Sequence, residues 1–219
     1  MWYWLLKYVL IGPLLRLLGR PKVEGLRHVP ADGPVIIAAN HLAAIDSLYL
    51  ALVLPRRITF IAKQEYFTAS GWRGRCHRWV MTATGQVRVD RSGGSAAADA
   101  LAAAERILES GGIWGIHPEG TRSPDGRIYR GRTGVIRVAM RTGAPVVPVA
   151  LSGTDRVNPR GRRFLRFARV RISFGRPRYF PPADRPAVRA ATDALMLDLA
   201  ARSGRRYVNR YAATFGERR

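Results

Sequence analysis

Short apolar runs of strand length alternate along this chain with stretches of helical length, and that alternation leaves few folds open. Val35-Ile-Ile-Ala-Ala39 is a β-branched, fully apolar run introduced by the turn Asp32-Gly33-Pro34, and predicts a buried strand. Ile58–Ala62, Ile113–Ile116, Pro145–Leu151 and Val170–Phe174 repeat the pattern, and Gln86–Asp90 alternates as a half-buried strand does. Between them, Ser47–Leu54 has helical length and stops at Pro55. Ser95–Glu109 is Ala-rich without Gly or Pro and ends at Gly111-Gly112, which makes it the clearest helix. Trp72–Met81, Gly134–Thr142 and Ala183–Ala201 also read as helices. Strands interleaved with helices predict an α/β fold, a mixed central sheet flanked by helices. The chain has 219 residues, 47% of them hydrophobic, which suits one packed domain over 23–219.

Residues 1–22 predict a separate behaviour. Trp2-Tyr-Trp4 opens an apolar stretch that lacks the basic n-region and small-residue cleavage site of a signal peptide. A membrane span needs about 20 apolar residues, and here Lys7 and Arg16 interrupt while Gly12-Pro13 breaks the helix. The expectation is a broken helix lying in a membrane interface, monotopic or peripheral. Its apolar side would be Trp2, Trp4, Leu5, Leu6, Val9, Leu10, Ile11, Leu14 and Leu15. Lys7, Arg16, Arg20 and Lys22 would meet anionic lipid.

The charge balance supports a polyanionic partner. Formal net charge is +22, from 37 Lys+Arg against 15 Asp+Glu. The segment from Arg156 to Arg178 holds nine arginines and no acidic residue, with Phe164, Phe167 and Phe174 between them. Basic and aromatic residues interleaved in this way suit anionic lipid, a phosphorylated donor or single-stranded nucleic acid. The lone Cys76 excludes an intrachain disulfide and a thiolate cluster, and reads as a small filler residue. Histidines 28, 41, 77 and 117 are scattered, so no metal site is predicted. Neither a P-loop, nor a dinucleotide fingerprint, nor a Gly-x-Ser-x-Gly elbow is present.

Two segments carry chemistry. Asn40-His41-Leu-Ala-Ala-Ile-Asp46 directly follows the first strand, where α/β folds place their sites. His41 and Asp46 are five apart, so they pair only if His41 lies in a loop and Asp46 at the helix start reaching back. That arrangement fixes one imidazole nitrogen and leaves the other as a base. The alternative for Asp46 is plain helix capping. The second segment is Pro118-Glu-Gly-Thr-Arg-Ser123, where a glycine turn, two hydroxyls and the fork of Arg122 suit phosphate. Its alternative is a polar turn, given Ser123-Pro-Asp-Gly126.

Asn-His-x4-Asp followed some seventy residues later by Pro-Glu-Gly-Thr-Arg-Ser resembles the glycerolipid acyltransferases of the 1-acylglycerol-3-phosphate type. Phe60-Ile-Ala-Lys63 with Glu65-Tyr-Phe67, and Val146-Val-Pro-Val-Ala-Leu151, resemble two further blocks in the same order. The resemblance spans roughly residues 23 to 180. It implies His41 as the base on the acceptor hydroxyl, Asp46 as its orienter, and Lys63, Glu119, Gly120, Thr121 and Arg122 as acceptor contacts. It implies no cofactor. The acyl donor would be acyl-CoA or acyl carrier protein, the acceptor lysophosphatidic acid, the product phosphatidic acid, and the location the cytoplasmic face of the cell membrane. Glycerol-3-phosphate, another lysophospholipid or a glycolipid is the alternative acceptor, and nucleic-acid binding the distant alternative. Where the family usually has Phe before Pro-Glu-Gly-Thr, this chain has His117.

Overall fold

The computed structural model describes residues 2–63, 86–89, 96–162 and 164–212, together with Gly71, Gly74, Arg75, Arg78 and Trp79. Most of the helix expected over Trp72–Met81 lies outside these residues, as do Cys76, His77 and Glu65–Phe67. Strands β1 (Lys22–Glu24), β2 (Val35–Ala39), β3 (Ile58–Lys63), β4 (Val87–Val89), β5 (Ile113–Ile116), β7 (Val146–Ser152) and β8 (Arg171–Phe174) form one sheet in the order β1-β8-β7-β2-β5-β3-β4. Every neighbouring pair is parallel except β7 with β8, so the expected mixed sheet is present. A small parallel pair, β6 (Ile128–Tyr129) with β9 (Tyr207–Val208), stands apart.

Strand alternation sorts the core into two layers. Val35, Ile37 and Ala39 of β2 face one layer, with helices α2 (Ile11–Gly19) and α3 (Asp46–Val53). Ile36 and Ala38 face the other, covered by α4 (Ala96–Glu109), α5 (Gly134–Thr142) and α6 (Arg185–Ser203). Both faces of β2 are buried along its whole length, which explains why it reads as a continuous apolar run. α6 starts where its sequence allows, with Asp184 accepting from Ala187 N–H at 2.9 Å and Pro186 in the first turn.

The N-terminal segment departs from the expected broken helix. α1 (Trp2–Leu5) runs through a π-helical turn, Leu6–Leu10, into α2 without interruption. Pro13 cannot donate and its ring crowds the carbonyl four residues back. The wider turn just upstream, closed by Ile11 N–H to Leu6 C=O, absorbs this. Gly12 makes the turn fit, since a Cβ there would lie 1.6 Å from the Lys7 carbonyl oxygen. The expected lipid-facing set also changes. Leu6 and Leu15 turn into the protein, and Tyr8 and Leu17 join the outer face. Lys7 is buried: its ammonium donates to the Leu54 carbonyl and lies against the Trp4 and Tyr8 rings. It therefore cannot reach lipid phosphate, and burial lowers its pKa, as does nearby Arg16.

Candidate active site

β2 and β5 are parallel neighbours with Ala38 opposite Ile116. Their C-terminal ends therefore deliver His41 and the His117–Ser123 segment to the same place, although the two lie more than seventy residues apart. Asn40 shapes the exit from β2. Its side-chain amide donates to the Leu151 carbonyl at 3.0 Å and its oxygen accepts from Leu151 N–H at 2.7 Å. This pairing ties the strand end to β7 and turns the chain into the loop carrying His41.

His41 and Asp46 meet as the loop geometry requires. His41 Nδ1 lies 2.9 Å from Asp46 Oδ2, which also accepts from Leu42 N–H at 2.6 Å and Ala43 N–H at 2.8 Å. Asp46 is the first residue of α3 and fully buried. One oxygen thus both folds the loop and holds the imidazole; it accepts from residues upstream of α3 and from no N–H of the helix itself, so the geometry is that of an orienter and not of a helix cap. An acceptor at Nδ1 fixes the proton there and leaves Nε2 as the base. The His41 side chain keeps 19% exposure, enough for a substrate to reach it.

The second segment is bolted to the first through backbone groups. Glu119 is 2% exposed. Its Oε1 accepts from His41 N–H and its Oε2 from Tyr129 N–H, both at 3.0 Å. Burial pushes its carboxyl up to about 7, against the pull of those two bonds. Ser123 N–H donates to the His41 carbonyl at 2.8 Å. Between them Gly120 takes φ +75°, with Arg132 packed where a Cβ would stand. Thr121 is half-buried and Arg122 exposed, and Arg122 immediately precedes Ser123, whose N–H meets the His41 carbonyl. Lys63 ends β3, and its side chain lies outside the described residues.

Two contributors had weak or no sequence signal. Arg160 comes from the loop after β7 and donates to the Ser123 carbonyl at 3.5 Å; burial and the adjacent Arg122 lower its pKa. No spacing rule links it to the site. His117 was visible only as a departure from a family pattern. Its ring stacks on His41 at 3.9 Å between centroids and 8° between planes, with Phe60 beyond it at 5.6 Å. His117 Nδ1 lies 3.0 Å from the Ala39 carbonyl and 3.1 Å from that of Asn40, and Nε2 lies 3.2 Å from Ser47 Oγ. Carbonyls only accept, so Nδ1 carries the proton and Nε2 accepts from Ser47. Burial and the neighbouring His41 push the His117 pKa down to about 3, so this ring is a neutral wall.

The neutral state has a stability consequence. Between the ordinary value of 6.5 and about 3, the unfolded chain takes a proton at His117 that the folded site refuses. Stability therefore falls as pH drops through that window. His117→Phe keeps the flat ring and removes the titration. It should cost about 1 kcal/mol at neutral pH through lost hydrogen bonds, and lose less than wild type on acidification. Urea denaturation of both proteins at neutral and mildly acidic pH measures this; parallel losses would rule it out.

An acyltransferase family model matches residues 20–152, the span from β1 through β7. The chain belongs to the acyltransferase family. It is 32% identical over 164 residues to the chloroplastic 1-acyl-sn-glycerol-3-phosphate acyltransferase of Brassica napus, covering 74% of this chain and 46% of that protein. The mouse 1-acyl-sn-glycerol-3-phosphate acyltransferase alpha is 28% identical over 166 residues, covering 74% and 54%. This chain thus spans about half the length of these curated relatives. The crystal structure of the 1-acyl-sn-glycerophosphate acyltransferase from Thermotoga maritima superposes with a TM-score of 0.67 at 25% identity, covering 86% of this chain and 74% of that one. The superposed part is therefore longer than the segment the family model matches.

Proposed function

We propose that this protein transfers a fatty acyl group from acyl-CoA or acyl carrier protein to the free hydroxyl of 1-acylglycerol-3-phosphate, giving phosphatidic acid. The observation that carries the reading is the Asp46-held His41, whose loop is joined through Ser123 to the turn that carries the exposed Arg122. His41 Nε2 takes the hydroxyl proton as the oxygen attacks the thioester carbonyl. The tetrahedral intermediate then expels the thiolate, which recovers that proton from the imidazolium. Arg122, with the Gly120-Thr121 turn, holds the acceptor phosphate, and the names of the relatives support a phosphorylated glycerolipid. Lys63 is proposed as a further acceptor contact. Glu119, with both oxygens on backbone N–H groups, serves the acceptor by holding the turn in place.

The membrane reading rests on the N-terminal outer face. Trp2, Trp4, Leu5, Val9, Leu10, Leu14 and Leu17 are exposed along one continuous helical segment. Among the described residues no helix is long and apolar enough to cross a membrane. We infer monotopic attachment at the cytoplasmic face, with the outer face immersed and Arg16 and Arg20 at headgroup level. Behind that helix, Tyr3, Leu6, Ile11, Leu15, Leu48 and Leu52 line a small apolar cleft shared with α3.

Arg122→Ala tests the acceptor assignment. It should cut kcat/KM for the phosphorylated acceptor about 10- to 100-fold, the range of one lost charge-assisted contact, and leave the donor KM near wild type. Arg122→Lys should recover little, because a point charge lacks the bidentate fork. Steady-state kinetics with each substrate varied in turn decides it. Unchanged acceptor kinetics in Arg122→Ala would place the phosphate elsewhere.

A further inference from the structure

We propose that the loop described over residues 158–162 and 164–170 is a second membrane-inserting element, a wedge of Phe164 and Phe167 that docks on anionic lipid beside the N-terminal helix. The proposal rests on the membrane reading above and adds a site to it. Phe164 is 82% exposed and Phe167 71%, with Leu165 between them also exposed. Two large aromatic side chains left in water three residues apart are uncommon on a soluble surface unless something covers them.

The loop beneath them is firmly held. Arg166 N–H donates to the Val157 carbonyl at 2.8 Å, Ala168 N–H to Leu18 at 3.1 Å, and Val170 N–H to Gly19 at 2.8 Å. Gly153 permits this packing, because a Cβ there would lie 2.0 Å from the Arg169 carbonyl oxygen. These bonds hold the backbone on either side of Phe167. They also place the loop against the last turn of α2, whose outer residues Leu14 and Leu17 are themselves about half exposed. The loop that carries the two rings therefore adjoins the helix that carries the N-terminal outer face.

Charge selects the occupant. Arg162, Arg166 and Arg169 are exposed around the rings, and no acidic residue occurs between Arg156 and Arg178. Aromatic tips ringed by guanidinium groups match the layering of an anionic bilayer, where acyl chains lie under phosphates. An apolar protein partner would leave those charges unmatched. The same loop begins at Arg160, which donates to the Ser123 carbonyl next to Arg122. Seating the wedge thus sets the Arg122–Arg160 pair at headgroup depth, the level at which the phosphate of a membrane-borne acceptor lies.

Vesicle flotation of the full-length chain tests this, using phosphatidylcholine with and without phosphatidylglycerol at low and high salt. Phe164→Ser/Phe167→Ser should weaken partitioning at least about tenfold, and the loss should persist at high salt, because the wedge term is apolar. Arg162→Gln/Arg166→Gln should lower only the preference for phosphatidylglycerol vesicles, with salt erasing the difference. Turnover of a short-chain soluble donor by the Phe variant should match wild type, showing an intact fold. If Leu14→Ser/Leu17→Ser loses binding while Phe164→Ser/Phe167→Ser floats as wild type does, the wedge is wrong and the N-terminal attachment stands. A wild-type chain that binds neither vesicle overturns both. Unchanged flotation of the Phe variant with lost binding to a single-stranded oligonucleotide would assign the loop to nucleic acid and overturn the wedge.

Discussion

His41→Ala should reduce turnover about 10²- to 10⁴-fold, the usual contribution of a general base, while leaving the protein folded. The separation of the two effects follows from the contacts. The imidazole is what Asp46 Oδ2 holds at 2.9 Å. The bonds that fasten residue 41 to the second segment are made by its backbone: N–H to Glu119 at 3.0 Å, and C=O from Ser123 at 2.8 Å. Alanine keeps those bonds, Asp46 still accepts from Leu42 and Ala43 N–H, and the loop keeps its shape. Asp46→Asn provides a graded control. An amide oxygen in the Oδ2 position can still accept from Leu42, Ala43 and His41 Nδ1, so the tautomer survives. What disappears is the carboxylate charge that favours the imidazolium formed during attack. The expected loss is about 10²-fold, less than for His41→Ala and carried by kcat rather than KM. Single-turnover product formation, read by mass spectrometry, alongside thermal melts, measures both. A folded His41→Ala protein with near-normal turnover would remove the base from the mechanism.

Much of the architecture was legible because strand burial and helix punctuation are local. Gly134–Thr142 forms a helix over the residues its periodicity marks, and the buried run at Val35–Ala39 is a central strand. What escaped was short or depended on distant partners. β1 has three residues and exists because Lys22–Glu24 lies alongside Arg171–Ser173. β6 and β9 are two residues each, too short for a period to show. The π-turn escaped for another reason. Pro13 announces a helix defect, but whether the chain breaks or widens depends on Gly12, where the absence of a side chain admits the Lys7 carbonyl. Lys7 itself looked like a lipid-facing charge, and only the position of the Leu54 carbonyl shows that it turns inward.

The site divides in the same way. The pairing of His41 with Asp46 could be argued from a five-residue spacing and a strand end, since both partners sit in one loop–helix junction. The joining of that junction to Glu119–Ser123 needed the sheet order, which places β2 beside β5. Arg160 and the stacked His117 join the site only through the tertiary fold. A histidine before Pro-Glu-Gly-Thr could have been a surface residue or a base; its stacking at 3.9 Å and its fixed hydrogen bonds make it a neutral partner of His41.

Asn40→Ala should be the most damaging substitution for stability in this region, by about 3–5 kcal/mol. Asn40 is fully buried, and its amide serves both backbone groups of Leu151, 111 residues away. Truncation leaves that N–H and that C=O without partners in a dry layer between β2 and β7. An unmade bond of this kind costs about 1–3 kcal/mol per group, more than the net worth of the bond itself. The space left by the amide adds a further cavity penalty. Asn40→Asp fits the same volume but cannot donate to the Leu151 carbonyl, and it introduces a buried charge, so it should not rescue. The catalytic consequence is indirect. With the strand end untied, the loop from His41 to Ile45 loses its fixed origin, and residual activity should fall even where the protein is still folded. Urea denaturation of wild type, Asn40→Ala and Asn40→Asp gives the stability change, and turnover in the folded baseline gives the second effect. A midpoint shift below about 1 kcal/mol for Asn40→Ala would mean that another group takes over Leu151, and that the tie between β2 and β7 does not set the position of the base.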